Sequence, residues 1–156
     1  MDPPIPTRVL ALQPYLKANP GGTRDHYDSE VSKIVLAASP DIIVLAGWMH
    51  VFTDTFLDAA EEKKVPVINI HPALPGAFDG VKAIQRAFDA FGRGEIEHSG
   101  VMVHKVVKEV DRGEPLLVRT VEIKKEDTLE DFEQRVHQTE WGMIVEGTKI
   151  VLESRE

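Results

Sequence analysis

I-I-V-L-A-G-W-M-H-V-F-T-D-T-F-L-D-A-A-E-E-K-K-V-P-V-I-N-I, from Ile42 to Ile70, decides the fold. Ile42–Ala46 is an unbroken apolar run, the pattern of a strand buried on both faces. Gly47–Val51 leaves that strand, and Thr53 or Asp54 opens a helix that runs to about Lys64. Val65–Ile70 is a second buried strand. Strand, helix and strand within about 30 residues make a βαβ unit, whose right-handed crossover sets both strands parallel in one sheet. The sequence therefore predicts an α/β fold with a mainly parallel sheet and flanking helices.

Downstream, prolines and glycines fill the loop from Pro72 to Gly80. An amphipathic helix follows over Val81–Phe91, with Ile84, Ala87, Phe88 and Phe91 on its apolar side. Gly100–Val107 and Leu116–Ile123 read as strands, joined by the turn-rich Lys108–Pro115. Thr128 with Asp131 has the spacing of a capping box and begins a long C-terminal helix carrying Leu129, Phe132, Val136, Met143 and Ile144. Upstream, Thr23 caps a helix from Arg24 to about Ala38, with Tyr27, Val31, Ile34, Val35 and Ala38 on one face. Asn19–Gly22 is a loop, and Ile5–Leu12 reads as a strand. Residues 1–156 form a single domain, with no repeat or linker.

The formal charge of −8 argues against a nucleic-acid binder, whose affinity rests on Lys and Arg neutralising phosphates. The absence of cysteine removes disulfides, thiol nucleophiles and thiolate metal sites. No apolar run approaches the roughly 20 residues of a membrane span. The start, M-D-P-P-I-P-T-R, lacks the apolar core of a signal peptide, so a cytoplasmic protein is expected.

Ligands of open parallel sheets gather outside the carboxyl ends of the strands. The first buried strand ends in Gly47-Trp48-Met49-His50 and the second in Asn69-Ile70-His71-Pro72. Strand side chains alternate, so Asn69 and His71 project from one face. An amide N–H and an imidazolium N–H aimed at one spot suit a developing oxyanion on a carbonyl carbon. No cysteine exists and no serine sits in a G-x-S-x-G elbow, so the attacking group comes from the substrate. Asp111 is the best-placed carboxylate to hold the imidazole charged and take up a proton. The plainer readings are that His71 is structural and that Asp111 is an ordinary turn residue. His50, His71 and His104 lack H-x-H or H-x-x-x-H spacing, so no metal is expected. Trp48 and Trp141 read as packing residues, and His26 and His98 as solvated.

N-I-H-P-A-L-P-G-A-F-D-G (Asn69–Gly80) resembles the signature of the formyltetrahydrofolate-dependent formyltransferases. It is especially similar to the fungal form of the branch acting on glycinamide ribonucleotide in purine synthesis. T-R-D-H-Y-D-S-E (Thr23–Glu30), L-A-G-W-M-H-V-F (Leu45–Phe52), V-H-K-V-V-K-E-V-D-R-G-E-P (Val103–Pro115) and R-V-H-Q-T-E-W (Arg135–Trp141) resemble further family segments, in order. The resemblance implies a Rossmann-like formyltransferase fold and a catalytic trio at Asn69, His71 and Asp111. It implies 10-formyltetrahydrofolate as co-substrate, held against Leu45, Met49, His50, Val51, Val106 and Asp111, and no metal. It implies glycinamide ribonucleotide as acceptor, contacted by Arg24, His137 and Glu140. His50 stands where bacterial members often carry Arg, and Met102 where they often carry Ser.

Members of that family begin with a βαβ unit bearing a glycine-rich phosphate loop, and nothing of the form G-x-G-S-N precedes Ile5. The expectation is an N-terminally truncated domain whose exposed sheet edge is open to a second copy as a homodimer. Two alternatives to formyl transfer stay open: a formyltetrahydrofolate hydrolase, in which water replaces the amine, and a folate-binding fragment with impaired turnover.

Overall fold

The structure, a computed structural model, describes residues 4–154; Met1–Pro3, at the front of the stretch read for a signal peptide, lie outside it. Helices α1 (Leu12–Ala18) and α2 (Arg24–Leu36) precede strand β1 (Ile43–Leu45), helix α3 (Asp54–Glu62) and strand β2 (Val67–His71). Helix α4 (Ala83–Gly92), strands β3 (His98–Lys105) and β4 (Pro115–Glu122) and helix α5 (Leu129–Glu153) follow.

The βαβ reading of Ile42–Ile70 holds. β1 and β2 pair parallel with Ile43 opposite Val67 and Leu45 opposite Asn69. The rest of the sheet departs from the mainly parallel expectation. Its order is β1-β2-β3-β4, and both later pairings are antiparallel. The β3–β4 link, residues 106–114, is too short for the crossover of a dozen or more residues that parallel strands need.

Residues 4–11 form no strand, against the reading of Ile5–Leu12. A strand is stable only as part of a ladder, and Pro4 and Pro6 have no N–H to give one. Ile5 and Val9 stay 86% and 93% exposed. Leu12 belongs to α1 instead, where Pro14 sits harmlessly in the first turn.

Both predicted caps form, the one at Thr23 also as a capping box. The Thr23 hydroxyl accepts from His26 N–H, and the His26 ring accepts from the Thr23 N–H in return. His26 therefore caps a helix rather than being merely solvated. Thr128 and Asp131 exchange the equivalent bonds at α5. On α2, Tyr27 and Val31 are buried, whereas Ile34 faces outward; the helix ends at Leu36, so Ala38 lies beyond it and is exposed.

Val67 and Ile68 are adjacent and so point to opposite faces of β2. Val67 joins Tyr27, Val31, Ile43, Phe52 and Phe56 in a core under α2 and α3. Ile68 joins Val101, Val103, Phe132, Val136 and Met143 in a core under α4 and α5. Each large side chain so buried contributes about 1.5–3 kcal/mol. α5 packs tightly on the sheet at Gly147, where an added Cβ would meet Val103 Cγ1 at 2.8 Å. No helix among the described residues is long and apolar enough to cross a membrane.

The start of α5 is tied to β4 by Arg135. Its guanidinium donates to both Asp127 oxygens, at 2.7 and 2.8 Å, and to the Glu122 carbonyl at 2.7 Å. That bond to Arg135, with the Lys124 N–H, holds the Asp127 carboxyl down to about 2. A carboxylate depressed on folding adds stability above its ordinary range, and that stability is lost as pH falls through the folded value. Asp127→Asn is thus expected to lower stability at pH 6 and to flatten its decline between about pH 4 and pH 2. Urea unfolding across that range checks this; an unchanged slope would show the pair to be idle.

Candidate active site

The ends of β1 and β2 open into a cavity of about 570 Å³, floored by Asn69, Ile70 and His71 and walled by residues 45–52, 80–83, 106–111 and α5. Asn69 and His71 point to the same side of β2. The antiparallel register sets His104 of β3 directly opposite Asn69, and Met102 opposite His71. Asp111 reaches back to this group from the turn after β3.

The structure thus brings Asn69, His71 and Asp111 together. Asp111 Oδ2 lies 3.4 Å from His71 Nδ1, and Asn69 Nδ2 donates to Asp111 Oδ1 at 3.4 Å. His71 Nε2 is buried and has no hydrogen-bond partner, although it borders the cavity. A buried nitrogen without a partner is costly unless a ligand meets it.

His104 completes the cluster, and the sequence raised it only as a metal-ligand candidate. Its Nδ1 donates to the Lys105 carbonyl at 2.8 Å, which turns Nε2 toward Asn69 Nδ2 at 3.3 Å and Asp111 Oδ1 at 3.4 Å. The signal was its cross-strand position opposite Asn69, which emerges only once the β2–β3 register is known.

The loop after His71 is pinned by its backbone. Gly76, Phe78, Gly80 and Lys82 all adopt positive φ, a left-handed residue at every second position. Such alternation turns N–H groups inward into a concavity for an anion. Here Gly80 N–H donates to Asp111 Oδ2 at 2.8 Å. Asp111 itself sits at φ +55°. Gly113 lets the turn close, since an added Cβ would stand 1.5 Å from the Lys105 carbonyl oxygen. Burial pushes the Asp111 carboxyl up. Its hydrogen bond with His104, the Gly80 N–H and the charge of His71 outweigh that and hold it below its usual range.

Leu45, Met49, His50, Val51 and Val106 all line the cavity, as do His137 and Glu140 from α5. His137 Nδ1 lies 2.7 Å from Glu140 Oε2. Arg24 is not in the lining; its guanidinium donates to the Val51 carbonyl at 2.8 Å and faces His50 Nδ1 at 3.3 Å. Trp141 is not the packing residue the sequence suggested. It borders the cavity and is 68% exposed, whereas Trp48 stacks on Phe52. A second hollow along α3 and the end of α5 shares only Val106 with the predicted site. Among the described residues no cluster of three or more His, Asp or Glu side chains could hold a metal ion.

A profile described as formyl transferase matches residues 2–148. Phosphoribosylglycinamide formyltransferase of Dictyostelium discoideum is 47% identical over 94% of this chain and 73% of its own length. The protein of that name from Schizosaccharomyces pombe is 42% identical over 91% of this chain and 69% of its own. The crystal structure of phosphoribosylglycinamide formyltransferase from Bacillus halodurans superposes with a TM-score of 0.77 at 30% identity, covering 90% of this chain and 68% of that one. With the strand ends, the cavity and the matched segments in one place, the chain belongs to the formyl transferase family.

Proposed function

We propose that this chain transfers the formyl group of 10-formyltetrahydrofolate to the amine of glycinamide ribonucleotide, a step of purine biosynthesis, in the cytoplasm. The observation that carries this is the buried, unpartnered His71 Nε2 at the floor of a cavity, beside an amide and a depressed carboxylate. The substrate amine attacks the formyl carbon directly. Asn69 Nδ2 and the His71 Nε2–H donate to the oxyanion as it forms. Asp111 faces His71 Nδ1, so it stabilises the imidazolium and keeps Nε2 aimed at the reacting atom. The proton lost by the amine passes by way of Asp111 and water to the departing folate nitrogen, which balances the exchange.

The walls fit the donor's rings. Leu45, Met49, Val51 and Val106 give apolar surface, much of it exposed in the open cavity. His137 and Glu140 would take polar groups of the ribonucleotide on the α5 side. β1 ends the sheet among the described residues, and its free edge would suit a second copy pairing as a homodimer.

The test is the product. Incubation with 10-formyltetrahydrofolate and glycinamide ribonucleotide is expected to give the formylated ribonucleotide. Formate released at the same rate without the ribonucleotide would make the chain a hydrolase. Folate binding with neither product would make it a binding module.

A further inference from the structure

The cavity wall Gly47–Phe52 is fastened to α2 by a group outside the catalytic cluster. Asp28 is fully buried. One of its oxygens accepts from the Thr53 N–H at 2.6 Å, and the other lies 2.6 Å from His50 Nε2. His50 Nδ1 faces the Arg24 guanidinium at 3.3 Å. A guanidinium only donates and a carboxylate only accepts. The His50 ring therefore carries its proton on Nε2 and offers the Nδ1 lone pair to Arg24. Tyr27, Trp48 and Phe52 enclose the ring edge-to-face at 5.4, 6.2 and 5.5 Å. Arg24 also donates to the Val51 carbonyl, so Asp28 and Arg24 grip the same segment from one helix.

We infer that Asp28 is a positioning residue for the folate donor: by fixing the tautomer of His50 it holds the segment Gly47–Phe52 in the shape that forms the donor side of the cavity. Residues 46–52 all line that cavity, whereas Asp28 and Arg24 do not. On this account Arg24 acts on the donor through the wall, not on the ribonucleotide. The inference rests on the folate reading above.

Asp28→Asn is the discriminating variant because it keeps size and shape. Its amide oxygen still accepts from Thr53 N–H, but its NH₂ faces the Nε2–H as a second donor. Moving the ring proton to Nδ1 relieves that clash only by setting it against Arg24. One bond is lost in either tautomer.

The ¹⁵N spectrum of the wild-type chain is expected to show His50 protonated on Nε2 at neutral pH. In Asp28→Asn the affinity for 10-formylfolate is expected to fall about tenfold, the loss of one charge-assisted bond. Affinity for glycinamide ribonucleotide is expected to stay unchanged, and the amides of residues 47–53 to exchange faster with solvent. A wild-type ring protonated on Nδ1 overturns the inference, as does a folded Asp28→Asn chain with wild-type folate affinity or one that loses ribonucleotide affinity instead. If Asp28→Asn does not fold, the wild-type tautomer decides. If the wild-type chain binds no folate, the proposed function fails, while tautomer and exchange still judge the fastening.

Discussion

Asp111→Asn is expected to cut turnover by about 10²–10⁴, the range lost with a positioned acid–base group, while folate affinity changes little. The substitution is gentle on the backbone: asparagine tolerates the left-handed φ of +55° as well as aspartate does. Its amide oxygen can still accept the Gly80 N–H. What disappears is the negative charge between His71 and His104 and the acceptor for the travelling proton. The pH profile separates this from a folding defect. Asp111 is held below the usual carboxylate range, so it stays charged above that depressed value and is neutralised only as pH falls through it. Any acid loss of rate due to Asp111 therefore lies below the ordinary carboxylate range, and Asp111→Asn abolishes it. A variant with wild-type turnover and only a lower melting point would make Asp111 the plain turn residue that D-R-G-E suggests on paper.

The parts of this molecule that were legible in the sequence are those settled locally. Ile42–Ile70 carries its own punctuation, with two apolar runs, a helix between them and polar residues at the strand ends; its strands and helix form as read, although Thr53 begins the helix without a side-chain cap. The same holds for Thr23 and Thr128, whose caps depend on partners three residues away. The misreadings concern relations between distant segments. Ile5–Leu12 has the composition of a strand, but composition does not provide a neighbour, and residues 4–11 remain outside the sheet. β3 and β4 were found as strands, but their direction was set by the short link that joins them.

The site divides in the same way. Asn69 and His71 share a face by alternation along one strand, which a sequence displays directly. His104 enters through the register of the next strand. Arg24 was assigned by resemblance to the ribonucleotide, yet its bonds go to His50 and Val51. Long side chains choose among several nearby partners, and the choice depends on burial that no motif records. Asp28 makes the point most sharply: nothing in T-R-D-H-Y-D-S-E marks it as a fully buried carboxylate.

His71→Ala is expected to lower turnover by about 10²–10³, the usual loss for one oxyanion donor, and Asn69→Ala by a similar factor. Donor affinity should hold within a few-fold, because the walls of the cavity come from Leu45, Met49, Val51 and Val106 rather than from these two side chains. The two variants differ in what they leave behind. Removing His71 deletes the unpartnered Nε2 and also deprives Asp111 Oδ2 of its imidazole, leaving the Gly80 N–H on that oxygen. Removing Asn69 deletes a donor but leaves the His71–Asp111 contact in place. If Asp111 works chiefly through His71, the double variant His71→Ala with Asp111→Asn should be little slower than the slower single variant, since groups that act as a unit are lost together. If the losses multiply instead, Asp111 moves the proton on a path independent of His71. Single-turnover rates with a saturating donor, measured for the three variants together, separate these outcomes. Near wild-type rates in both His71→Ala and Asn69→Ala would remove the oxyanion role from this strand end altogether.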